Sequence, residues 1–257
     1  MKRVILFILF LFALIRVDAQ FWGVPNLTTF DDRRIHFGFT LGINTMDFAF
    51  THYNTIIEHP LYTPEQYEKF NHKEILDSVN NIVRADISSL SPGFTVGIVS
   101  NLRINRNLDL RFIPGLSFGD RKIIYNIPIY DSNESGISSY YVVRSTFLDF
   151  PLMIKYKANR IVNGRPYLIG GLAYRINIAK SGKENLLRVD KSTFYAETGF
   201  GWDNYLQFFR LSTELKYSFG LGNALSSKLP GKAQNPYYQM ALKSLNSHMV
   251  TLCFHFE

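Results

Sequence analysis

Residues Ile35-His36-Phe37-Gly38-Phe39-Thr40-Leu41-Gly42-Ile43-Asn44 alternate a large apolar side chain with a small or polar one. Successive side chains of a strand point to opposite faces. This stretch therefore builds one wall of Ile, Phe and Leu and one of His, Gly, Thr and Asn. The same period of two recurs at 93–102, 108–118, 144–156, 166–178, 193–203, 209–221 and 248–256. With 34–44, these segments predict eight strands, and no long amphipathic helix competes with them.

Period two does not say which face is inside. A soluble lipocalin-type barrel or a sandwich buries the apolar row, whereas a membrane barrel turns it to lipid. Three features favour lipid. Large aromatics stand on the apolar face of nearly every strand, with Tyr and Trp near strand ends. The opposite face is rich in Gly, Ser and Thr, which suits a narrow interior better than a solvated exterior. The connections alternate long and short, as in barrels with short periplasmic turns and long outer loops. Asn105-Arg106-Asn107, Asn163-Gly164 and Asp203-Asn204 supply turn-forming residues for the short ones. The expected fold is all-β: an eight-stranded antiparallel up-and-down transmembrane β-barrel with long extracellular loops. An even strand count puts both termini on the periplasmic side. Phe254 and Phe256 keep the alternation at the end, although Glu257 follows them.

Composition agrees. The 257 residues are 46% hydrophobic, 15% aromatic and 19% charged, too apolar for a disordered chain. A mean hydropathy of −0.04 is too low for a helical membrane bundle but fits alternating strands. Lys2 and Arg3 precede an apolar run over 4–15, and Val17-Asp18-Ala19 follows. The run reaches only about 18 Å as a helix, short of a hydrocarbon core of about 30 Å. Residues 1–19 therefore read as a signal peptide cleaved after Ala19, and residues 20–257 as one outer-membrane barrel domain. With Cys253 as the sole cysteine, no intramolecular disulfide is available. A formal charge of +7 without a long Lys/Arg run gives no sign of nucleic-acid binding.

The loop over 45–92 contains a short helical signal. Thr63 suits its cap, Pro64 its first turn and Gln66 a capping box, with Tyr67, Phe70, Ile75 and Val79 at imperfect helical spacing. It reads either as a docking or lid element or as a surface loop packed on its own barrel.

No HExxH, paired Cys/His set, GxSxG or P-loop occurs, so no catalytic residue, metal or cofactor is expected. His36 and His255 fall on the polar faces of neighbouring strands, where the two could approach each other, and they read as a pair of satisfied lumen groups. The charges on the polar faces read as a lumen ion-pair network of Asp109, Arg111, Asp149, Lys155, Arg175, Glu197, Arg210, Glu214 and Lys216. Buried charges need partners, and an eight-stranded lumen is just wide enough for side chains, so no open pore is expected.

The stretch Asn26-Leu27-Thr28-Thr29-Phe30-Asp31-Asp32-Arg33-Arg34-Ile35-His36-Phe37-Gly38-Phe39, with Leu41-Gly42-Ile43-Asn44 and Met46-Asp47-Phe48, resembles the start of the PorT/SprT proteins of Bacteroidota. Phe147-Leu148-Asp149-Phe150-Pro151-Leu152-Met153-Ile154-Lys155-Tyr156 and Tyr167-Leu168-Ile169-Gly170-Gly171 are similar to their later strands, though such motifs are widespread in small barrels. The resemblance implies a non-enzymatic role in type IX protein secretion, and in gliding where that occurs, through contacts with other secretion components. The expected contact residues are Phe30, Asp31, Asp32, Arg33, Tyr67 and Phe70. The rival readings are an outer-membrane hydrolase or lipid-modifying enzyme, a generic structural porin-like barrel, and a soluble periplasmic binder.

Overall fold

The computed structural model describes residues 24–131, 136–138, 140–179, 186–229 and 235–257. The signal-peptide reading of 1–19 lies outside them. The strands are β1 (Ile35–His52), β2 (Ala85–Leu90), β3 (Pro92–Arg103), β4 (Leu108–Phe112), β5 (Gly115–Tyr125), β6 (Ile129–Asp131), β7 (Gly136–Ser138), β8 (Tyr141–Lys157), β9 (Gly164–Asn177), β10 (Ser192–Tyr205), β11 (Arg210–Gly220) and β12 (Leu242–Phe256). β4 and β5 form one wall strand. Phe112 faces Ser100 and Gly115 faces Gly97, so the register on β3 is unbroken across the gap. The interruption falls at Pro114, which has no N–H to give the ladder.

β1 pairs with both β3 and β12, which closes the sheet. Around the wall run β1, β3, β4/β5, β8, β9, β10, β11 and β12, all antiparallel. This is the expected eight-stranded up-and-down barrel. Several strands outrun their sequence limits: β1 continues to His52, so the first long connection starts at Tyr53 and not at Thr45.

Exposure settles which face is which. On β1, Phe37 is 69% exposed and Ile43 59%, whereas Thr40 is 2% exposed and Asn44 1%. The apolar row faces outward on every wall strand, which excludes the soluble readings that bury it. Paired rings brace this outer wall, with Phe39 stacked on Phe256 at 4.7 Å and Phe94 on Phe118 at 4.5 Å.

The long connections do not drape over the surface. The segment between β1 and β3 carries α1 (Pro64–Tyr67), α2 (Lys73–Ser78) and β2, which pairs with β5. Thr63 caps α1 as expected, its Oγ1 accepting from Gln66 N at 3.3 Å. The single expected helix is instead two short ones, because His72 adopts a left-handed conformation between them. Ile56, Tyr67, Phe70 and Leu76 then pack with Ile127, Leu186 and Tyr238 into one apolar core. That core forms a cap over the outer mouth, anchored by α3 (Tyr237–Met240) just before β12.

Candidate functional site: a charged lumen closed at both mouths

All nine expected network residues point into the lumen, and none is more than 8% exposed. The period of two puts them there, and the sheet register chooses their partners. In the lower layer, towards the short turns, Glu214 accepts from Arg111 at 3.0 Å and from the Tyr167 hydroxyl at 2.9 Å. Lys155 Nζ donates to both oxygens of Asp203 at 2.7 Å and stands 3.7 Å from the Tyr167 ring centroid. In the upper layer, Arg175 bridges Asp149 at 3.1 Å and Glu197 at 2.6 Å, and Lys216 reaches Glu197 at 3.0 Å. Ser117 donates to Asp149, and Ser218 donates to Glu197.

The pairing departs from the sequence reading in four ways. Asp109 is paired with Lys157 at 2.6 Å, a residue not in the expected set. Asp203 was expected to end its strand on the polar face and open a turn with Asn204, but β10 runs on to Tyr205 and the Asp203 side chain is a fully buried ion-pair partner outside the expected network. Glu257 turns inward to Arg111 and Arg210, which leaves Phe256 as the last wall aromatic. Among the described residues Arg121 meets no carboxylate: it donates to Ser145 at 2.9 Å and Ser247 at 2.7 Å and lies over the Phe48 ring at 4.1 Å. Position in the alternation is legible in sequence, but the choice of partner across strands is not.

The residues expected to meet partners are largely occupied within the chain. Phe30 plugs the periplasmic mouth: it stacks on His36 at 4.0 Å, and the Arg210 guanidinium lies over its ring at 4.6 Å. Asp31 accepts from Arg165 at 3.2 Å and from the Tyr205 hydroxyl at 3.1 Å. Tyr67 and Phe70 are each 8% exposed inside the cap core, which corrects the expectation that they present a contact surface. Burial and the Asp77 carboxylate, 2.5 Å away, push the Tyr67 phenol up to about 12. Asp32 and Arg33 alone of the six are exposed.

His36 and His255 do not meet: His36 takes Phe30, while His255 Nε2 lies 3.4 Å from Glu214. Glu214, Cys253 and His255 form a group able to hold a metal ion, with one donor atom of each within 4.8 Å of the others. No local sequence motif marks it, because Cys253 and His255 share β12 while Glu214 comes from β11. A surface concavity of about 710 Å³ is an apolar groove on the outer wall between Tyr156, Leu168, Phe200 and Trp202, away from the charged groups.

Residues 19–226 match the family described as outer membrane protein beta-barrel domain. No curated protein matches the chain. Similar solved structures include Neisserial surface protein A, at 10% identity over 87% of this chain and 99% of that one, with a TM-score of 0.41. OprG from Pseudomonas aeruginosa is 9% identical over 91% and 95%, with a TM-score of 0.42. Ail, the attachment invasion locus protein of Yersinia pestis, solved with the heparin analogue sucrose octasulfate, is 9% identical over 87% and 99%, with a TM-score of 0.35. The family match spans well over half of the chain, which therefore belongs to this family of barrels of the bacterial outer membrane.

Proposed function

We propose that this barrel is a non-enzymatic component of the outer membrane that supports type IX protein secretion through contacts with other secretion components. The observation that carries the reading is the filled lumen. Among the described residues a buried charged network lies between Phe30 below and the cap core above, which supports an interior closed to solutes with its accessible chemistry at the two ends. The resemblance at 26–48 and 147–156 supplies the secretion context. Contact falls to the exposed neighbours of the aromatics engaged within the chain: Asp32 and Arg33 at the periplasmic mouth, and the outer faces of α1 and α2.

The test is deletion of the gene, with export of type IX cargo measured in the medium, and in vivo cross-linking from position 32 or 33 with identification of the captured subunits. The reading requires cargo to be retained in the cell and a secretion component to be captured. Normal export after deletion would refute it.

A further inference from the structure

We propose that Glu214, Cys253 and His255 bind one thiophilic d10 cation, Zn2+ or Cu+, inside the barrel. The β11–β12 register sets Glu214 directly opposite Cys253. His255 follows two residues later and so shares the lumen face. None of the three is more than 3% exposed.

Two independent observations point to an occupant. Among the described residues Nδ1 of His255 has no hydrogen-bond partner, and Nε2 meets Glu214 Oε2 at 3.4 Å, although the side chain is buried. Buried polar groups in folded proteins are nearly always paired, so a buried imidazole with an idle Nδ1 lacks something. Beside it lies a water-accessible void of about 20 Å³, lined by Thr40, Thr95, Asp149, Lys216, Cys253 and His255. That is room for one water-sized species.

The donor set chooses the ion. Thiolate, imidazole and carboxylate suit Zn2+, and the sulfur and nitrogen pair suits Cu+, whereas Mg2+ and Ca2+ require oxygen cages. The neighbouring cations are already neutralised. Arg111 is held by Glu214 Oε2 and Glu257, and Lys216 by Glu197. The contacts from Arg111, Tyr167 and His255 Nε2 all fall on Oε2, which leaves Oε1 of Glu214 for the ion. Binding forms a metal–Sγ bond and releases the thiol proton to solvent, with no change of oxidation state.

The experiment refolds the full chain in detergent with Zn2+, with Cu+ under anaerobic reducing conditions, or with chelator, and counts bound metal after free ion is removed. Co2+ loading reads the ligand directly, through a thiolate-to-metal charge-transfer band. One ion per chain is expected, falling at least tenfold in Cys253→Ser and in His255→Gln, with heat-modifiable gel migration confirming that both variants fold. Preference for Zn2+ or for Cu+ separates the two sources of the same chemistry. Less than a tenth of an equivalent of either ion in folded wild type overturns the proposal and leaves a water as the occupant. Undiminished binding in both variants shows an adventitious ion only, and also overturns it. Where a variant fails to fold, X-ray absorption on the loaded wild type decides: a sulfur ligand at about 2.3 Å is expected for Zn2+, and its absence refutes the site.

Discussion

Lys155 shows what a single lumen charge does. Its ammonium donates to both oxygens of Asp203, and both side chains are fully buried. Removing one member of such a pair strands the other, at a cost of about 3–5 kcal/mol, whereas replacing both by apolar groups is often near neutral. Lys155→Met should therefore lower the urea midpoint of the detergent-refolded barrel strongly, and Lys155→Met with Asp203→Leu should recover most of the loss. A single variant as stable as wild type would mean that the pair carries no buried charge. This pair also marks the limit of legibility at one residue. Alternation tells that Lys155 faces inward, but Asp-Asn at 203–204 reads locally as a turn. Only the pairing of β10 with β9 and β11 reveals that the strand continues.

At the scale of an element, the strands were legible and the cap was not. A strand writes its two faces into adjacent residues, so the sequence suffices. The cap core joins Tyr67, Ile127, Leu186 and Tyr238, residues from four separate connections with no common period. The signal at Thr63 to Gln66 located α1 but could not say that Tyr67 points into a core. Inside the wall, Gly201 is set by close approach. A Cβ there would lie 2.4 Å from the Tyr167 ring and 2.6 Å from the Thr213 carbonyl oxygen. Gly201→Ala should cost about 1–3 kcal/mol by overpacking, read as a lower urea midpoint, and Tyr167→Leu should relieve part of it.

The cap should also respond to pH. Burial holds the His59 imidazole below its ordinary pKa, and its Nδ1 accepts from Leu61 N–H at 3.1 Å. A depressed histidine pKa favours the neutral form in the fold. The contribution to stability is therefore present above the unfolded value near 6.5 and lost as pH falls through the lower folded value. His52 Nε2 makes the same kind of contact, accepting from Ala85 N–H at 2.9 Å. Proteolysis of the segment between β1 and β3 should accelerate below about pH 6. His59→Asn, which keeps an acceptor that does not titrate, should shrink the step, and adding His52→Gln should remove the rest. A step unchanged in the double variant would place the pH response elsewhere.

For the whole molecule, the question is whether closure comes from the plugs or from the lumen itself. The network of buried charges runs through the barrel between Phe30 and the cap core, touching Phe30 through Arg210, and an eight-stranded barrel leaves an interior that side chains fill. Wild-type protein in a planar bilayer should therefore show no stable ion-selective conductance. The sharper test removes a plug. Phe30→Ala with Asp31→Ala deletes the stack on His36 and the bonds from Arg165 and Tyr205. If the lumen is packed, the variant stays non-conducting and loses only stability, because Arg165 and Tyr205 keep water as a partner at the mouth. If the plug alone closes a channel, the same variant conducts. Steady openings in the variant would overturn the packed-lumen account and, with it, the assignment of function to the ends of the barrel and not to its interior.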